Sequence, residues 1–442
     1  MSEYTPVYTE PYEGGFIDAP PYNTPVTAES LNAYGGAIRN IETYLKENPI
    51  ETGGGGSSID ITSGTTDASF KDLSAANSIS MGRIPGVQIG AHSSAAGRGV
   101  MAPGDSAHAE GNTTNAAANN AHAEGGYTEA SGACSHAEGG YTKSPGAYSH
   151  AEGYGTKAQQ ANAHAEGNGT TAGAPGSHAE GFNTETSANN AHAEGRNTAA
   201  SGENAHAEGN GTAASGENAH AEGKNTEASG ENAHAEGNGT AASGEGSHAE
   251  GSDTAAKGMF SHTEGSSTEA SGHRAHAEGS STVSSGENAH AEGFNTKASG
   301  NNAHAEGSGT KAEGIFSHAE GFNATAGAPC SHAEGSDTTA GAQYSHAEGS
   351  GTIAASGAQH VQGKYNIAEG SGKYAHIVGN GTEDNARSDA HTLDWEGNAW
   401  YAGTVECTGI ILTDTADSTR RFLLQVTGGQ IVLSEIVAQQ TE

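Results

Sequence analysis

Cysteine, cationic side chains, aromatics and long apolar runs are all scarce in this chain, and each scarcity excludes something. Three cysteines in 442 residues, Cys134, Cys330 and Cys407, are widely separated and lack metal spacing. They imply neither a disulfide framework nor a Cys-ligated metal. Only 18 Lys and Arg stand against 53 Asp and Glu, a formal net charge of −35. That balance repels polyphosphate, so nucleic acid and anionic membrane are excluded as partners. No stretch is long and apolar enough to span a bilayer, so no membrane insertion is expected. The opening Met-Ser-Glu-Tyr-Thr-Pro lacks the basic start and apolar run of an export signal. With 33% apolar and 5% aromatic residues, one large hydrophobic core is also excluded.

What is abundant is order. The phrase His-Ala-Glu-Gly appears at His108–Gly111, and a histidine then falls at every fourteenth position to His360, nineteen in one frame. Glu follows two places later from Glu110 to Glu348, and Gly three places later from Gly111 to Gly363. We number the unit so that residues 205–218, Ala-His-Ala-Glu-Gly-Asn-Gly-Thr-Ala-Ala-Ser-Gly-Glu-Asn, fill columns one to fourteen. A fixed period without insertions means that each unit has one shape and stacks on its neighbours. This order overrides the disorder that the composition alone would suggest.

Columns one, three, eight and ten hold Ala, Ser or Thr in most copies. Alternation over columns one to four and seven to ten predicts two short strands with small side chains on the inner face. The column-five glycines, among them Gly209, Gly223 and Gly237, and the frequent Gly near column twelve are read as turns needing positive φ. Repeated Gly argues against a helix, and its spacing against collagen. Asn at column fourteen goes with Ala at column one, as at Asn120 and Asn204. Cys, Tyr, Phe or Gly there goes with Ser, while Arg274 with Ala275 breaks the rule. Both polar groups are expected to satisfy one corner backbone group.

The repeat resembles the head repeat of trimeric autotransporter adhesins, whose Ser-x-Ala-x-Gly-x-x-Ala-x-Ala-x-Gly unit matches columns one to twelve. The resemblance implies an all-β, left-handed parallel β-roll solenoid in an elongated homotrimer. It departs at columns two and four, where the family has Val and Ile facing sister chains and this chain has His and Glu. His206, Glu208, His220, Glu222, His234 and Glu236 are therefore expected at a trimer seam that fixes register. Carboxylates beside imidazoles favour protonated His, so the seam is expected to be most stable in mildly acidic to neutral solution.

Around the repeat, residues 1–26 read as an extended Pro- and Tyr-rich arm. Residues 27–50 read as a short helix with the seam Leu31, Tyr34, Ile38, Ile41 and Leu45, a candidate trimeric coiled coil. Residues 51–90 form a Gly-rich joint and transition segment, 91–387 the roll, and 388–442 a small C-terminal antiparallel β domain. Ala91-His92-Ser93 suggests a degenerate first coil sixteen residues before His108. Asn23 to Asn32, with Thr-Pro-Val-Thr-Ala-Glu at its centre, resembles the attachment segment of phage tail fibre and baseplate-bound proteins. Asp394-Trp395-Glu396-Gly397-Asn398-Ala399-Trp400-Tyr401-Ala402-Gly403 resembles the C-terminal segment of structural proteins from phages of low-GC Gram-positive bacteria.

Repeated His and Glu invite a catalytic or metal reading. A catalytic site needs residues that differ from their background, and these are the background. His-x-Glu is not a zinc-protease motif, so neither enzyme activity nor any cofactor or metal is expected, although three imidazoles per layer could hold an ion. The resemblances imply a virion or phage-tail-like structural fibre, assembled in the bacterial cytoplasm. Its N-terminus would join baseplate or tail proteins, and it would face a host cell-surface receptor, glycan or protein. The alternative is a bacterial surface adhesin or spacer. Trp395, Trp400 and Tyr401 are candidate receptor contacts or core residues of the last domain.

Overall fold

In the computed structural model, residues 58–61, 78–81, 89–405, 410–413 and 421–436 are described. Among them the chain is all-β, a parallel β-solenoid without helix. The arm, the attachment helix of Leu31 to Leu45 and the Gly53–Gly56 joint lie outside the described residues. Two compact units, residues 1–140 and 141–442, are considered in turn.

In the first unit, strands Ser58–Ile61, Ser78–Met81, Ser94–Arg98, His108–Asn112 and His122–Gly126 pair in parallel succession. The ladder therefore begins before the histidine frame. Ser94 pairs with His108 and Gly97 with Gly111, so the degenerate coil keeps the fourteen-residue step. This corrects the expected start at His92, whose φ of 57° places it at the corner that precedes column one. Gly97, fourteen residues before Gly111, was the usable signal.

In the second unit, strands of columns two to six run from His150–Tyr154 to His360–Lys364, each in register with its neighbour. Two-residue strands of columns nine and ten, such as Ala213–Ala214 and Glu227–Ala228, form a second ladder. The elements thus sit one to two columns later than the alternation suggested, because columns seven and fourteen are bends. Asn218 and Asn225 have φ of 54°, and Tyr141, Cys330 and Phe316 share this left-handed conformation at the same columns. The core is as thin as expected: Ala205, Ala207, Thr212 and Ala214 are buried, with His206 and Glu208 on the opposite face from Ala207.

The two glycine columns are required for different reasons. Gly209 lies within strand His206–Asn210 at φ +117°, and a Cβ there would sit 2.0 Å from the Gly223 carbonyl oxygen. Gly216 at column twelve has no positive φ, and a Cβ would meet the Gly230 oxygen at 1.9 Å. Close approach of successive backbones, not turn conformation, fixes that second glycine. The Asn and Ser of columns fourteen and one also do different work. Asn204 Nδ2 donates to Asn218 Oδ1 of the next coil at 3.1 Å, whereas Ser247 Oγ donates to the Gly244 carbonyl at 2.7 Å.

The far end is closed by side chains. Asn366, at the Thr column, accepts from Ile353 N at 2.7 Å and donates to Ile353 O at 3.0 Å, replacing the missing next strand of the short ladder. Gln359 accepts from Ala355 N and donates to Tyr374 O. The frame then slips, as expected, and His360 pairs with His376. Strands Asp389–Asp394 and Ala399–Tyr401 continue the solenoid sheet antiparallel from Tyr374–Asn380. Only Ile410–Thr413, Arg421–Thr427 and Gln430–Ile436 form the separate antiparallel sheet. The tail expected as a single β domain from residue 388 thus divides between two sheets.

Candidate functional site: an imidazole and carboxylate ladder

Strand periodicity puts column two and column four on one side of the coil, and the fixed step brings each histidine over the last. In the first unit His122 and His136 stack with centroids 4.7 Å apart. In the second unit the steps from His150 to His332 are 4.6–4.9 Å. Nε2 of His206, His220 and His234 lies 3.8, 3.6 and 3.9 Å from Oε2 of Glu208, Glu222 and Glu236. Those distances are close contacts of ring nitrogen and carboxylate, too long for hydrogen bonds. The three Nε2 atoms are closed off from solvent without a hydrogen-bond partner, while the carboxylates beside them remain about half exposed.

The electrostatics reverse the expected protonation. His206 is held below the ordinary imidazole range, first by burial and then by cationic His192 and His220, against the opposing pull of Glu208 and Glu194. His234 is lowered in the same way by burial, His248 and His220. Partial burial and the like-charged neighbours above and below outweigh the half-exposed carboxylates. Both shifts favour the neutral imidazole of His206 and His234 at neutral pH.

Gly209, Gly223 and Gly237 give the ladder its pitch through backbone contact between coils. Trp395, Trp400 and Tyr401 lie past the last coil of the frame and are each more than half exposed, and ring contacts continue from His360 through His376 and His391 to Tyr401. Trp400 pairs with Thr392, and the Tyr401 ring lies 4.6 Å from that of His391. Trp400 lines an open cleft of about 500 Å³ with Ile367, Tyr374, Asp389, Thr392 and Ala402. Burial raises the Asp389 carboxyl above its ordinary range, although its Oδ1 accepts from Ile367 N. Nothing in the sequence marked this cleft, because its residues between Ile367 and Ala402 lie beyond the fourteen-residue frame and share no period. Among the described residues no helix is long and apolar enough to cross a membrane. The chain matches no family model and no curated protein at a significant level.

Proposed function

We propose that this chain is a structural fibre subunit of a phage or phage-tail-like particle. Three copies would wind together along the His and Glu columns, the N-terminal segment would join baseplate or tail proteins, and the C-terminal region would face a host receptor. The observation that carries this reading is the insertion-free fourteen-residue coil, which repeats the same buried Ala and Thr columns and sets no single residue apart for chemistry. Two features support assembly with sister chains. The Nε2 atoms of His206, His220 and His234 lack hydrogen-bond partners beside half-exposed carboxylates. The C-terminal sheet leaves Ile410, Ile411, Val426, Ile431 and Leu433 exposed, an apolar surface of the kind that a partner covers.

The attachment and tail resemblances favour the particle over a bacterial surface adhesin. Electron microscopy of isolated particles tests this, using Fab fragments against residues 1–26 and 421–436. The N-terminal Fab is expected at the particle body and the C-terminal Fab at a free end. Fab labelling of cell envelopes with none on particles would overturn the reading in favour of the adhesin.

A further inference from the structure

We propose that the last coils of the histidine frame bind one divalent transition-metal ion, held by His332, Glu334 and His346 or by the overlapping set His346, Glu348 and His360. In each set one nitrogen from each imidazole and one carboxylate oxygen lie within 4.8 Å of one another. Two imidazoles and a carboxylate are a donor set suited to zinc and its neighbours, with a coordination position left for water. Metal–nitrogen bonds of about 2.0–2.1 Å hold two ligand atoms up to roughly 4 Å apart, so a tilt of the rings toward each other closes the set.

Several features distinguish this end from the rest of the ladder. The His332 and His346 rings are 4.5 Å apart with planes 3° from parallel, closer than any of the steps from His150 to His332 given above. Beyond Glu348 the acidic column ends, since Gln362 occupies its next position. Glu348 accordingly pairs forward, its Oε2 3.6 Å from Nε2 of His360, which places a carboxylate between two successive imidazoles. As at His206, His220 and His234, Nε2 of His332, His346 and His360 is buried and without a hydrogen bond. A buried ring nitrogen without a hydrogen-bond partner costs free energy that coordination to a cation recovers. Because His346 belongs to both sets, one ion occupies the pair of sites, and it would staple adjacent coils next to the frame slip.

Isothermal titration of the full, untagged chain with zinc chloride at about pH 7.5, above the reference His pKa, tests the proposal. Visible absorption with cobalt(II) in place of zinc reports coordination directly. The wild type is expected to take up one tight equivalent. Even outer-shell changes lower metal affinity roughly 10–100-fold, so His346→Ala is expected to weaken that equivalent by at least about tenfold, with His220→Ala as wild type. If circular dichroism shows His346→Ala to be misfolded, the double change Glu334→Gln and Glu348→Gln, which keeps the imidazole stack, is expected to give the same weakening. No tight equivalent in the wild type overturns the site. So does unchanged binding in the folded variant tested, or equal loss in His220→Ala.

Discussion

Glycine at column five is where one methyl group does most damage. Gly209→Ala must hold φ +117° and push a Cβ into the Gly223 carbonyl, so we expect a loss of at least about 2 kcal/mol. Gly327→Ala, with open space around its Cβ and no positive φ, should change stability by less than about 0.5 kcal/mol. Urea unfolding of both variants checks the contrast. Histidine makes the second prediction. A folded pKa below the unfolded value of about 6.5 means that the unfolded chain takes up protons first. The ladder is then fully stabilising above that pH and weakens as pH falls from it toward the lowered folded values of His206 and His234. Melting temperatures between about pH 5 and pH 8 should therefore fall on acidification. The slope should be shallower when His206, His220, His234 and His248 are all replaced by Ala, and parallel curves would show that the imidazoles do not drive it. At this scale the sequence displayed burial well, because small side chains recur at the columns that are inside. It hid the left-handed corners, because Asn218, Cys330 and Phe316 share a φ rather than a chemistry.

For the coil as an element, the register should matter more than the content. Deleting residues 205–218 joins Asn204 to Ala219, so column fourteen still precedes column one. Nearest-neighbour stacking is conserved, and we expect a folded protein whose melting temperature shifts by no more than roughly 4 °C. Deleting residues 205–211 instead places Thr212 where Ala205 stood and should unfold the coils around it, as read by calorimetry. The closing coil has its own weak point. Asn366→Ala would leave the N–H and C=O of Ile353 unpaired, at a cost of about 1–3 kcal/mol. Faster amide exchange at Ile353 is the expected sign. The coil's period and inward face were legible in the sequence from repetition alone. The two-residue length of the second strand was not, because columns seven and eight alternate like a strand although column seven is a bend. Nor was the part played by Asn366, since a side-chain amide standing in for a strand has no periodic signature.

On the scale of the whole molecule, two truncations separate capping from assembly. Ending the chain before Asp389 strips strand Asp389–Asp394 from Tyr374–Asn380 and exposes an unpaired edge, so aggregation is expected. Ending it after residue 405 keeps that strand but removes the sheet that carries Val426 and Ile431, and soluble monomer is expected. Light scattering on eluted fractions measures both, and soluble trimer from the longer truncation would remove the last sheet from assembly. Finally, the coils from His150 to His346 bury the same small side chains, so a strand cannot tell the copy one step along from the copy two steps along. Among the described residues the address is carried by a few larger side chains outside these coils. Gln359, Val361, Asn366 and Ile377 close the second unit, and Val100 lies in the first; among the described residues these are the largest fully buried side chains. A chain that misnumbers its coils while folding loses almost nothing until it reaches such a residue. The correct count is therefore stored in a handful of bulky side chains, and proofreading of the whole ladder is delegated to them.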